Sequence, residues 1–389
     1  MAITPLDRLL EYNMRLLKDS GHPRLFAAWW HDLITAAASA WFSGGLVLAV
    51  HAAATDRSAP SFTWWHLVFY TGCLAVTAWI AFLLVRAHRA EGRTGLAAVP
   101  HGYGSAVIGI PLFLVSGLAD LVWHAVFGAA ESLDLLFSPA HLGLAVSGVL
   151  IVAAPWLSAW RRDALGAEPE PVGAHLRFAA PALSLGAVFA AAVLFVSYGF
   201  AFALRPSEVA SGLGETAGPA GWAVAASIMF TTLAVLALVV LASGRFRLPP
   251  GFFTVAFVLP ALMAGANAGF ANLGFVLLFL ASGALADLLT WLVRPDLRRR
   301  KDLLVFAAAW SLPTWTAYMV LVRVAEGVWP AVETATGAPL AAALVGAAFM
   351  LVIQPDHREV APPTPTEPSP FDEVIARAKA MTANRGEQG

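Results

Sequence analysis

Uncharged, strongly apolar runs separated by short polar turns follow one another along almost the whole chain. Residues 33 to 55, 62 to 85, 135 to 160, 178 to 204 and 216 to 244 carry no Asp, Glu, Lys or Arg at all. Each run is long enough to cross a bilayer as a helix. Backbone amides cannot be left unpaired in hydrocarbon, and these runs are too continuous for the alternating strands of a barrel, so helices are the predicted elements. The pattern predicts an all-α fold, a polytopic transmembrane helix bundle of about ten spans. They are placed at 33 to 54, 62 to 86, 104 to 127, 138 to 160, 178 to 204, 219 to 243, 251 to 269, 272 to 294, 303 to 323 and 336 to 354. The pair that meets around Asn267 and Asn272 has the shortest turn between spans.

Charge placement predicts an orientation. Of the 24 Lys and Arg residues, 21 fall at the termini or in the loops after even-numbered spans; Arg57, Arg205 and Arg323 alone fall on the other side. Because cytoplasmic loops collect positive charge, both termini are expected in the cytoplasm, as in a multi-pass protein of a bacterial inner (plasma) membrane.

Three regions follow from this division. Residues 1 to 24 interleave Leu6, Leu9, Leu10, Leu16 and Leu17 with Asp7, Arg8, Glu11, Arg15 and Lys18, which predicts a cytoplasmic interfacial amphipathic helix, capped by Thr4 and Pro5, rather than a cleaved signal peptide. Residues 25 to 355 form the transmembrane helical domain. Residues 356 to 389 are a proline-rich cytoplasmic tail. Trp29, Trp30, Trp64 and Trp65 suit the aromatic belts at the membrane surfaces.

Composition narrows the function classes. Of 389 residues 59% are hydrophobic and only 13% charged, which excludes a water-soluble globule and makes the lipid bilayer the first partner. A formal net charge of −1 leaves no basic excess for nucleic acid. The single cysteine, Cys73, excludes disulfide and cysteine-zinc frameworks.

Ionisable groups that persist inside spans are the first place to look for chemistry, because each costs about 2.5 to 3.5 kcal/mol at mid-membrane on insertion scales. Asp120 and His124 stand at i and i+4 near the end of the third span, so both lie on one helical face. After a loop with Glu131 and Asp134, Ser138 and Pro139 supply the cap and first turn of the next helix, which opens with His141. The chain therefore turns back with a second imidazole at the same depth. His51 and His66 fall at the same outer ends of their spans, and the other six histidines on the cytoplasmic side. Asp120, His124 and His141, with Glu131, His66 and His51 as further candidates, are thus expected to converge on a metal site. Two imidazoles and a carboxylate suit copper, iron, zinc or nickel, and ligand type does not choose among them.

The segment DLVWHAVFGAAESLDLLFSPAH, residues 120 to 141, resembles the metal-binding segment in the C subunit of particulate methane and ammonia monooxygenases, where Asp-x-x-Trp-His precedes Phe-Thr-Pro-Ser-His. The resemblance implies copper held by Asp120, His124 and His141, oxygen-dependent hydroxylation of a small apolar molecule, and partner membrane or periplasmic subunits, with oligomers possible. Trp123, Phe137, Ser138 and Pro139 match the flanking positions. The loop between the histidines is about one helical turn longer than in the family. The family's second constellation, an asparagine with two histidines, has no counterpart, and the copper-binding soluble domains of the partner B subunit are absent.

Other readings of the same residues stay open. Asp120 and His124 could be a structural pair that ties two helices together. The group could serve a non-catalytic membrane protein that binds or transports copper or zinc. The four outer histidines could hold a bis-histidine haem. Interfacial histidines beside tryptophans, and a solvated Glu131, are ordinary surface groups in each of these readings. The adjacent residues His31 and Asp32 do not share a helical face, and read as an interface anchor.

Overall fold

A computed structural model describes residues 18–55, 63–128, 136–214, 218–293, 295, 300–327 and 330–353. Among them every regular element is helical: α1 (Trp29–Thr55), α2 (Trp64–Glu91), α3 (Gly104–Phe127), α4 (Pro139–Val152), α5 (Ala154–Ala164), α6 (Ala174–Phe195), α7 (Pro206–Gly214), α8 (Pro219–Ser243), α9 (Phe252–Ala256), α10 (Val258–Asn267), α11 (Leu273–Val293), α12 (Arg300–Glu326) and α13 (Val332–Ile353). Eight of these, namely α1, α2, α3, α6, α8, α11, α12 and α13, are long and apolar enough to cross a membrane. A ninth is obtained if α4 and α5, bent by 48° at a one-residue break, count as one span. Pro155 stands in the first turn of α5 and has no amide to continue the ladder of α4, which accounts for the bend. The chain is a multi-pass integral membrane protein.

The charge-free stretch at 251 to 269 takes a different form from its neighbours. It holds the short helices α9 and α10, from Phe252 to Asn267. At about 1.5 Å per residue such a stretch covers roughly 24 Å, short of the ~30 Å hydrocarbon core. Asp287 of α11 anchors its start. The carboxylate accepts from the amides of Phe253 (2.9 Å) and Thr254 (2.8 Å) and from the Thr254 hydroxyl (2.7 Å), so it fills the capping role that Gly251 cannot. At the other end the chain reverses through Gly269 (φ 62°) and Phe270 (φ 60°), and the Phe270 amide bonds back to the Gly265 carbonyl at 2.7 Å.

Helix α6 lies at the centre. Two-thirds (67%) of its most apolar window is buried, against 22% in α2 and in α3, so the latter two form the lipid-facing rim. After α6 the backbone leaves the α conformation through two 3₁₀ turns, Ser197–Gly199 and Ala201–Ala203, while Phe200, Ala201 and Phe202 stay fully buried. Irregular backbone at such depth must find its hydrogen bonds in neighbouring helices. Thr231 of α8 accepts from the Ala201 amide (2.9 Å), Tyr318 of α12 donates to the Ala201 carbonyl (2.8 Å), and Asn272 donates to the Phe202 carbonyl (2.7 Å). Phe279, Trp315 and Tyr318 pack around Phe202.

Helices α1 and α2 run antiparallel in close contact. A Cβ on Gly72 would stand 2.6 Å from the Phe42 backbone. Gly45 meets the Phe69 backbone in the same way. Residues without side chains let the two backbones approach, the usual device where lipid gives no hydrophobic drive to helix pairing.

The interfacial helix expected at 1 to 24 lies outside the described residues up to position 17, as does the tail from 354 onward. Residues 18 to 24 are not helical. Gly21 (φ 73°) and Pro23 interrupt any helix there. The strand of chain is tied instead to the loop before α3: Thr94 Oγ1 donates to the Lys18 carbonyl (2.7 Å), and Arg24 donates to the carbonyls of Val99 (2.9 Å) and Pro100 (3.0 Å).

Candidate metal centre

Helices α3 and α4 form an antiparallel hairpin whose connected end carries the candidate residues. The two helices touch closely: a Cβ on Gly109 of α3 would lie 2.9 Å from the Ser147 carbonyl oxygen, and Gly143 of α4 meets Ser116. One and two turns beyond that last contact stand Asp120 and His124, opposite His141. The start of α4 is as expected, with Ser138 as N-cap accepting from the His141 amide (3.2 Å) and Pro139 in the first turn.

The structure brings Asp120, His124 and His141 together. Asp120 Oδ1 lies 2.9 Å from Nδ1 of His141, and Oδ2 lies 3.4 Å from Nδ1 of His124. The two imidazole centroids are 6.1 Å apart, with ring planes at 64°. The Nδ1 atom of His124 is also 2.8 Å from its own helix's Asp120 carbonyl. A carbonyl can only accept, so Nδ1 is the donor in this contact and Nε2 takes no part in it. Nδ1 of His141 faces two oxygens, Asp120 Oδ1 and Ser138 Oγ (3.1 Å). Both imidazoles therefore turn Nδ1 toward oxygen, and Nε2 is the atom left for a ligand role. A carboxylate placed against Nδ1 orients an imidazole and raises the basicity of its far nitrogen.

Asp120 Oδ1 is buried and, despite its approach to His141, has no aligned hydrogen-bond partner among the described residues. The three side chains are only partly covered, with exposures of 19% for Asp120, 33% for His124 and 25% for His141. Around them Leu118, Leu121, Val122 and Phe137 are exposed on the outside of the bundle. The group thus opens on an apolar surface.

The expected convergence of all six candidates is narrower in the structure. Among the described residues no three His, Cys, Asp or Glu side chains are arranged to hold a metal ion. In the Asp120 group the carboxylate contacts both Nδ1 atoms directly and so stands beside the two rings, not across an ion from them. His51 occupies the same end of the bundle but packs on Phe270, with centroids 5.3 Å apart, and its buried Nδ1 has no hydrogen-bond partner among the described residues. His66 bonds the Thr63 hydroxyl at 2.9 Å. Glu131, with Asp134, lies outside the described residues.

Two imidazoles sharing one ion through Nε2, each at about 2.0 to 2.1 Å, place their centroids about 5 to 6.5 Å apart. The 6.1 Å separation of His124 and His141 falls in that range, and Asp120 places an anion beside both rings. The donor types suit a two-histidine centre in which Asp120 orients both rings.

The residue read from the sequence as an interface anchor is the most buried carboxylate among the described residues. Asp32, 7% exposed at the start of α1, accepts from the Tyr103 hydroxyl (2.8 Å) and the Ser158 hydroxyl (2.9 Å), and Tyr103 also pairs with Thr35 at 2.8 Å. His31 points the other way, to Arg86 Nη1 at 3.0 Å, so the adjacent pair indeed serves two faces. The sequence signal for Asp32 is an aspartate at the edge of the first span, but its partners are distant in sequence and no local spacing announces them.

No family model, curated protein or solved structure matches the chain.

Proposed function

We propose that His124 and His141 bind a copper-type ion through Nε2, with Asp120 holding both rings and supplying the anionic charge. The observation that carries this reading is the bridging of two Nδ1 atoms by one carboxylate, which leaves Nε2 of each ring without a hydrogen bond among the described residues. The positive-inside distribution supports an extracytoplasmic position for this end of the bundle and cytoplasmic termini, and a bacterial inner membrane is the host proposed with them. Copper would supply oxygen chemistry at this position, as the resemblance over residues 120 to 141 implies. The chain's own part is to fix the imidazoles and to keep the approach apolar through Leu118, Leu121 and Phe137, which suits a small apolar substrate arriving from the bilayer. Electrons would come from partner subunits.

Metal binding or transport without catalysis is the second reading, favoured by the partial exposure of the site. A porphyrin between His124 and His141 is disfavoured, because α3 and α4 touch at Ser116 and Gly143 one turn below. The test is metal analysis of the full chain, purified in detergent and loaded with copper or zinc, beside His124→Ala and His141→Ala. One equivalent of copper in the wild type, lost in both variants with the helical spectrum kept, is the expected result. Equal metal in all three proteins would sink the site, zinc in place of copper would favour metal handling, and a strong Soret band would favour haem.

A further inference from the structure

A cavity of about 390 Å³ opens at the opposite end of the bundle from Asp120. Four separate segments form it: the start of α1, the end of α5 with the loop that follows, the start of α6, and the chain after α8. Four arginines line it, Arg162, Arg177, Arg245 and Arg247, with the carboxylates Asp32, Asp163 and Glu170.

The carboxylates do not use up the arginines. Arg162 pairs with Glu170 at 3.1 Å, and Arg245 with Asp163 at 2.7 Å. Glu170 is further occupied by the Trp29 amide at 2.8 Å. Asp32 accepts from Tyr103 and Ser158. Among the described residues no carboxylate pairs with Arg177 or Arg247. The guanidinium groups are also held in place: Arg177 lies over Phe178 (5.3 Å), Arg245 over Trp160 (5.0 Å) and Arg162 over Phe26 (5.1 Å). Cations fixed on aromatic faces lose little freedom when they bind, and the guanidinium fork matches phosphate oxygens in pairs. The wall adds apolar surface from Trp29, Phe178 and Phe246.

This combination has one natural ligand chemistry. A cluster of forked cations with spare charge, set at helix ends beside tryptophans, is built for a phosphate ester with an apolar portion. We infer that the cavity binds the phosphate of an anionic amphiphile, with Arg177 and Arg247 as the contacts that pair with no carboxylate among the described residues. The source is either a phospholipid of the adjacent leaflet or a soluble phosphate ester, and the chemistry of recognition is the same.

The test uses the full chain in nanodiscs of phosphatidylcholine with a minor fraction of phosphatidylglycerol, read by native mass spectrometry of retained lipid. Arg177→Gln and Arg247→Gln are each expected to lower phosphatidylglycerol retention about tenfold, the worth of one charge-assisted contact. Arg89→Gln, at the end of α2 and outside the cavity, should leave retention unchanged. Arg247 is exposed and forms no ion pair with a described residue, so its variant should fold even if Arg177→Gln does not. Added inorganic phosphate that displaces the lipid, or that binds saturably in the wild type and not in the variants, would assign the same site to a soluble anion. Equal retention in all variants, or an equal loss in Arg89→Gln, would show only general surface charge and overturn the proposal.

Discussion

The Asp120 carboxylate meets Nδ1 of His141 across the hairpin of α3 and α4 at 2.9 Å, and the same carboxylate faces Nδ1 of His124 at 3.4 Å. If its task is to orient the imidazoles, then Asp120→Asn, which keeps the shape and removes the charge, should weaken copper binding about 10- to 100-fold without abolishing it. His124→Ala, which removes a ligand atom, should abolish it. Titration of purified apoprotein followed by metal analysis separates the two. An Asn variant that binds as tightly as wild type would leave Asp120 a structural tie between helices.

Asp287 serves the fold. Its two oxygens hold the first turn of α9 through three hydrogen bonds, in a site only 8% exposed. Asp287→Ala leaves two amides and a hydroxyl without their acceptor and should destabilise the bundle by about 3 kcal/mol, near the upper range for orphaned buried donors. Asp287→Asn, which retains one strong acceptor oxygen, should cost roughly half as much. Thermal unfolding in detergent, followed by helical circular dichroism, measures both.

The spans were legible because charge-free runs leave a helix no alternative in hydrocarbon, and Ser138 with Pro139 announced the start of α4 by local chemistry alone. Asp120 and His124 share a face by helical spacing, and the short return to His141 follows from chain connectivity. What was not legible depends on lateral packing. Nothing local distinguishes the run at Phe252–Asn267 from a full span; its anchor, Asp287, lies 34 residues after Phe253. The Asp32 cluster joins residues 71 and 126 positions apart, and the arginine cavity draws on four segments. His51 and His66 shared the depth of the site, but depth fixes only one of three coordinates.

Gly72 stands at a close approach of α2 to α1. A methyl group there would stand 2.6 Å from the Phe42 Cα, against backbone that cannot yield as a side chain does. Gly72→Ala should therefore cost about 1 to 3 kcal/mol by overpacking. Gly44, one helical turn or less from the contact, has nothing within 4 Å of a built Cβ. Gly44→Ala should be neutral or slightly stabilising, since alanine favours the helix by up to about 1 kcal/mol. Equal melting temperatures for the two variants would argue against the α1 and α2 contact.

His101 gives the protein a pH dependence whose sign follows from its surroundings. It lies before α3, tilted against Phe26 with centroids 4.6 Å apart, and burial foremost, then the charges of Arg24 and Arg161, lowers its pKa. The folded chain thus resists a proton that the unfolded chain accepts at the ordinary imidazole value of about 6.5. This contribution to stability is complete above that ordinary value, and it is lost as pH falls through the lower folded value. The wild-type melting temperature should fall between pH 7.5 and pH 5, and His101→Gln, which cannot be protonated, should fall less over the same interval. Differential scanning of both proteins in one buffer series makes the comparison; parallel curves would assign the pH dependence to other groups.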